Sequence, residues 1–209
     1  GLDPALIDKI RPVMARVANY HQYQVEGLDR VPKNGPCVMA FNHSLATYDI
    51  ALFANAMLES KGRPLRMLGD RLIFKTPLLD RLAIRCGVVS GSPDNAKRLL
   101  AEGEIVGVAP GGMMEALRPS NEAYQIRWDE RKGFARLAID TGAPIVLAAC
   151  PAADDLYQVY DSPITRWAYR FAKVPLPLAR GRGMTLVPRR VALKHVLSEP
   201  IAQIGRAHV

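Results

Sequence analysis

The sequence predicts an α/β domain built on a mixed, mostly parallel sheet flanked by helices. Three observations carry that expectation. The stretches PCVMAF (36–41), EIVGVAP (104–110) and IVLAAC (145–150) read as short strands, and the first, fully apolar, has the pattern of a strand buried in a sheet. Helical segments with recognisable ends separate them: SPDNAKRLLAEG has Ser92 at the cap and Pro93 in the first position, and ERKGFARLAIDTGAP closes on Gly142. Strands and helices alternate along most of the chain without repeats, which is the pattern of a sheet covered on both sides.

In order, residues 4–20 carry apolar side chains at helical spacing among Lys9, Arg11 and Arg16, with Pro12 expected to kink or end the helix. Such a basic amphipathic segment either covers a domain face or lies in a membrane interface. YQVEGLDRVP (23–32) reads as strand and turn, and YDIALFANAMLES as a helix with Thr47 at its N-cap. LRMLG is a further strand. IFKTPLLDRLAIRCG is helical and either broken or begun at Pro77, and GGMMEALRPS follows the 104–110 strand as a turn and helix. Of the last third, ITRWAYRFA is expected as a helix, PLPLARGRG as a loop, and MTLVP with RRVALKHVLSEPI as a pair of strands.

A chain of 209 residues suits one domain rather than two, expected over 1–203. The final residues, IGRAHV (204–209), are what a common sequencing-adapter string encodes, so they are expected to be read-through and the natural chain to continue past about Gln203. The start at Gly1 without methionine leaves room for an upstream segment. Three scattered cysteines (Cys37, Cys86, Cys150) fit neither a disulfide framework nor a metal spacing, which points to a reducing compartment. The formal charge of +8 either solubilises the surface or invites an acidic partner. Nucleic acid is not expected as that partner, since no recognition helix, RNP-like aromatic run or zinc framework is present. No apolar run reaches the length of a membrane span.

Two strand ends carry polar groups. In CVMAFNHSLATYDIALF (37–53), Asn42 and His43 follow an apolar strand and Asp49 comes six positions after the histidine. At the carboxyl end of a strand in an open α/β sheet, where ligand sites form, His43 and Asp49 read as a base with its orienter. The alternative is a helix start whose Asp49 complements the dipole. In VAPGGMMEALRPS (108–120), Pro110, Gly111 and Gly112 make a turn with close backbone approach, while Glu115 and Arg118 share one helical face. That segment is either a substrate cradle or a strand–turn–helix joint with a surface ion pair.

Taken together, FNHSLATYD, PGGMMEALRPS, RKGFARLAI (131–139), GAPIVLAA (142–149) and RRVALKHVLSEPI resemble, in order, the motif blocks of the glycerolipid (PlsC-like) acyltransferase superfamily. The P-G-G turn with a following glutamate and the K-G-F-x-x-L-A run resemble most its neutral-lipid branch of diacylglycerol acyltransferases and phytyl ester synthases. The similarity covers about residues 25–201. Two departures stand out: His43 and Asp49 are separated by five residues instead of the usual four, and the second block lacks a phosphate-binding arginine after Gly87.

The resemblance implies a glycerolipid acyltransferase fold and acyl transfer from acyl-CoA or acyl-ACP, as co-substrate, to a lipid hydroxyl, with no cofactor and no metal. A mono- or diacylglycerol or an alcohol is the expected acceptor, and lysophosphatidate the alternative that Arg118 keeps open. A thioester hydrolase and a non-catalytic lipid-binding relative are the further alternatives; a G-x-S-x-G elbow for the former is absent. His43 would take the acceptor's proton and Asp49 would hold its tautomer. Amides at Gly111 and Gly112 would receive the oxyanion; Asn42, Pro110, Glu115 and Arg118 would shape the substrate site. The implied location is the cytoplasmic face of a membrane, peripheral or monotopic. Arg63, Arg66, Lys75, Arg81 and Arg85 are candidates for meeting acyl-CoA phosphates or anionic lipid, and residues 71–85 for facing the membrane.

Overall fold

The protein is described from a computed structural model, over residues 1–163 and 177–202. The ITRWAYRFA segment and the final six residues lie outside the described residues. Seven strands form one sheet in the order β1-β9-β6-β2-β5-β3-β4. β2 (Cys37–Phe41), β3 (Leu65–Gly69), β4 (Val89–Ser90), β5 (Ile105–Val108) and β6 (Ile145–Ala149) run parallel to one another. β1 (Gln24–Glu26) and β9 (Lys194–Leu197) pair parallel with each other but antiparallel to β6, so the sheet is mixed and mostly parallel, as the sequence predicts. β7 (Gln158–Val159) and β8 (Ala179–Arg180) form a separate antiparallel pair.

β2 lies centrally and every residue of it is buried. Its alternating side chains go to opposite faces. Cys37, Met39 and Phe41 join a core with Ile50, Phe53 and Met57 of α2 (Tyr48–Lys61), while Val38 joins one with Leu99 of α5 (Pro93–Ala101) and Leu137 of α7 (Gly133–Thr141). A strand with water on neither side must be apolar throughout, which is why 36–41 was readable as sheet interior. Ser92 caps α5 by accepting from the Asn95 amide at 3.1 Å, and Gly142 ends α7 in the left-handed region.

Three expectations need correction. α1 (Pro4–Tyr20) runs through Pro12 without ending there. It covers the domain: Met14, Val17 and Ala18 pack against Leu52, Leu156 and Leu193. Thr47 occupies the N-cap of α2 but makes no capping hydrogen bond, because its backbone is left-handed (φ 48°). MTLVP (184–188) is a turn rather than a strand: Gly181 N–H donates to Thr185 C=O and Arg182 N–H to Val187 C=O, each at 2.7 Å. The interrupted helix at Pro77 is observed as α3 (Arg71–Lys75) and α4 (Leu79–Arg85).

Parallel strands collect their carboxyl ends on one rim. β2 delivers His43 there, β5 delivers the Pro110–Gly112 turn, and β6 delivers Cys150. Because β1 and β9 run the other way, their amino ends, with His21 and Leu193, reach the same rim.

Candidate active site

The rim is organised around the His43 loop. Asn42, buried, bridges the ends of two strands: its Oδ1 accepts from the Cys150 amide at 2.8 Å and its Nδ2 donates to the Cys150 carbonyl at 3.3 Å. His43 leaves this anchor half-buried, with Nδ1 2.9 Å from the Ser44 carbonyl. A carbonyl only accepts, so the neutral ring carries its proton on Nδ1 and its lone pair on Nε2. Burial, with a smaller contribution from the Arg118 charge, lowers the His43 pKa below its usual 6.5 and favours that neutral form.

Behind His43 stands a buried polar assembly. Glu115, on α6 (Gly112–Ala116), is wholly inaccessible. Trp128 Nε1 donates to its Oε2 at 3.1 Å, and the His43 backbone N–H donates towards the same carboxylate. Arg118, 6% exposed, lies 3.6 Å from Glu115 Oε1, and also donates to Asp154 and to the Gln125 carbonyl. Burial raises the Glu115 pKa, opposed by the His43 amide, Arg118 and Trp128. Glu115 and Arg118 therefore form a buried pair instead of the surface pair weighed from the sequence.

The P-G-G turn fits around this carboxylate. Gly111 has an ordinary φ of −66°, but a Cβ there would lie 1.7 Å from Glu115 Oε2, so the requirement is space. Gly112 is left-handed (φ 52°), and its N–H is committed to the Ala109 carbonyl at 3.0 Å. Of the two amides expected to receive an oxyanion, only that of Gly111 makes no hydrogen bond among the described residues. Arg131 braces the turn from outside by donating to the Gly111 carbonyl and, at 3.3 Å, to that of Pro110.

Asp49 differs from its expected place. No hydrogen bond joins it to His43. The five intervening residues close a tight turn, with Tyr48 N–H donating to the Ala46 carbonyl at 2.6 Å and Thr47 left-handed. That turn sends Asp49 inward, where Oδ2 lies 3.7 Å from His195 Nε2 on β9. Tyr23 holds the other ring nitrogen of His195 at 2.9 Å. Ligand-capable atoms of Asp49, Cys150 and His195 all fall within 4.8 Å of one another, a grouping that their wide separation in sequence conceals. Burial pushes Asp49 up to about 7, His195 down to about 3 and the Cys150 thiol up to about 12, so all three favour their neutral forms there. The carbonyl of Ser44 stands where the sequence reading put Asp49, as the group fixing the His43 tautomer.

Ser44, Trp128, Arg131, Asp154 and His195 were not singled out from the sequence. RKGFARLAI pointed to Arg131's neighbourhood without giving it a role. Two of the basic candidates serve structure: Arg63 donates to the carbonyls of Pro32, Gly35 and Gly103 at 2.6–2.8 Å, at the end of the sheet away from His43, and Arg66 lies 3.4 Å from Glu104.

The chain is similar to known proteins along this same region. It is 35% identical over 129 residues to the bovine (Bos taurus) "DGAT1/2-independent enzyme synthesizing storage lipids", covering 62% of this chain and 38% of that protein. It is 30% identical over 162 residues to phytyl ester synthase 2, chloroplastic, of Arabidopsis thaliana, covering 74% of this chain and 23% of that one. The chain thus spans less than half the length of these relatives. Among solved structures, the 1-acyl-sn-glycerophosphate (LPA) acyltransferase PlsC from Thermotoga maritima shares the fold, with a TM-score of 0.59 at 16% identity over 97% of this chain and 71% of that one. Residues 22–150, more than half of the chain, match the model of the acyltransferase family, and the chain belongs to that family.

Proposed function

We propose that this protein moves a fatty acyl group from acyl-CoA or acyl-ACP to a lipid hydroxyl, with a mono- or diacylglycerol or a long-chain alcohol as acceptor. His43 Nε2 takes the hydroxyl proton as the oxygen attacks the thioester carbonyl. The Gly111 amide donates to the resulting oxyanion. Collapse of the tetrahedral species expels the thiolate, which recovers the proton from the imidazolium. Ser44 holds the tautomer, and Glu115 holds the His43 backbone. Asp49 is a positioning residue, closing the His43–Tyr48 loop from beneath.

One observation carries the preference for an uncharged acceptor: Arg118 is buried and engaged by Glu115, Asp154 and Gln125, so it offers no free guanidinium to a phosphate. The names of the bovine and plant relatives, storage-lipid synthesis and phytyl ester synthesis, support the same preference. The acceptor is lipid-borne, so we place the protein on the cytoplasmic face of a membrane as a peripheral or monotopic protein. Among the described residues, no helix is long and apolar enough to cross one.

The test is a panel of monoacylglycerol, diacylglycerol, long-chain alcohol and lysophosphatidate offered with labelled acyl-CoA, and then with acyl-ACP. The expected result is labelled neutral ester that His43→Ala abolishes. Preference for lysophosphatidate overturns the acceptor assignment, and free fatty acid as the sole product makes the protein a hydrolase.

A further inference from the structure

We propose that two exposed apolar–basic segments, the α3–α4 hairpin and the 178–187 arm, form a docking surface for an anionic phospholipid bilayer that brings the His43 rim against the lipid headgroups. This rests on reading His43 as the base for a lipid acceptor, and it specifies which face of the protein meets the membrane.

The hairpin rises from the end of β3. Leu78, 76% exposed, stands at its tip, and Leu79 and Leu82 continue the exposed apolar face. Arg71, Lys75 and Arg81 are exposed among them, with no ion pair recorded for any of the three among the described residues. Leu78 is held at φ 78° and ψ −44°, a region costly for a branched side chain. A strained backbone that displays a leucine to water is a poor solution for folding alone.

The arm leads into β9. Its turn is ordered by the Gly181–Thr185 and Arg182–Val187 backbone hydrogen bonds, and by Tyr157, whose hydroxyl donates to the Leu186 carbonyl at 2.9 Å. That order presents Met184, 85% exposed, and Leu186, 76% exposed, beside Arg182.

Position makes the two segments one surface. β3 ends on the rim where β2 delivers His43; β9, running antiparallel to β6, begins on it, as the Ala149–Val196 pairing requires. Each strand is second from β2 in the sheet, on opposite sides, so the segments are rooted about 10 Å to either side of it at ordinary strand spacing. Long apolar side chains interleaved with unpaired cations suit an interface whose headgroups are negative and whose interior is hydrocarbon. α1, the other amphipathic candidate, packs Met14, Val17 and Ala18 against the domain.

Flotation with phosphatidylcholine vesicles, with and without about 30 mol % phosphatidylglycerol, reads binding without turnover. The protein is expected to float with the anionic vesicles and to release as salt rises. Leu78→Gly with Leu79→Ser and Leu82→Ser should weaken partition about tenfold or more; glycine takes a positive φ without a Cβ penalty, so the turn is preserved. Met184→Ser with Leu186→Ser should act likewise, and Ile139→Ser, an exposed apolar residue on α7, should not. Arg71→Ser with Lys75→Ser and Arg81→Ser should flatten the salt dependence. Failure of the wild type to float overturns the proposal, as does undiminished flotation of both apolar variants. A wild-type dimer in sedimentation velocity that the hairpin variant dissolves would also overturn it, by assigning the surface to a second copy of the chain. Flotation without acyl transfer leaves the docking surface standing and removes only the catalytic reading.

Discussion

Asp49→Asn is the sharpest test of the site's interior. The wild-type carboxyl titrates near 7 when folded and near 3.8 in its reference state, a rise caused by burial. A folded pKa above the unfolded one means that the native state holds the proton more tightly, so stability falls as pH climbs from about 4 to 7 and is flat beyond. At about 1.4 kcal/mol per pKa unit, the ionisable side chain costs at most about 4 kcal/mol at pH 8 and about 2 kcal/mol at pH 5. Asparagine keeps the shape and carries no charge, so the variant should be more stable than wild type, by a margin that grows across that interval. His195, held neutral by the same burial, lowers the stability of either protein as pH falls below 6.5, so the pH 6.5 and 8 points isolate Asp49 best. Urea unfolding at pH 5, 6.5 and 8 reads the difference directly. A constant margin, or a wild type more stable than the variant at pH 8, would refute the placement of Asp49 in the apolar interior. Turnover supplies the second half: with Ser44 fixing the tautomer, Asp49→Asn should retain measurable activity, whereas an Asp49 that holds the imidazole would lose it almost completely on substitution.

The other predictions concern the rim. His43→Gln should lower kcat by about 10²–10⁴-fold with an unchanged melting temperature, checked by transfer of labelled acyl groups and a thermal scan. Because burial holds the His43 pKa under 6.5, the acid limb of the kcat/KM profile is expected below that pH; a limb above 7 would contradict the site's electrostatics. Gly111→Ala forces a methyl onto Glu115 and should cost more than about 2 kcal/mol in chemical denaturation, with loss of activity. Arg118→Ala leaves Glu115 and Asp154 buried without their cation and should cost about 3–5 kcal/mol in urea unfolding. A phosphate-binding Arg118 would instead raise KM for lysophosphatidate at little cost in stability.

The sheet was legible because a strand buried on both faces has no polar side, and 36–41 shows it. The 184–188 run misled for the converse reason: its apolar side chains suggested burial, yet Gly181 and Gly183 let the chain turn and hold them in water. At the site, the strand-end rule located His43, and helical spacing paired Glu115 with Arg118. Neither rule gives depth, so the pair's burial emerged only from Trp128 and Asp154, which converge on it from other segments. The partner of Asp49 was equally hidden. Spacing along a chain does not say which way the first turn of a helix will face, and the left-handed Thr47 decided it here.

The Asn42 bridge has a consequence for how the site can vary. A side-chain amide donates and accepts as a peptide group does, so the two bonds to Cys150 act as one further rung between β2 and β6, beyond the point where their backbones part. Aspartate at this position lacks the donor, and glutamine sets the amide one carbon too far out. The reactive loop is therefore sewn to the sheet by a stitch that few residues can make. Sequences that redraw the segment from Ser44 to Tyr48 can do so freely only while that stitch keeps the loop's starting point fixed.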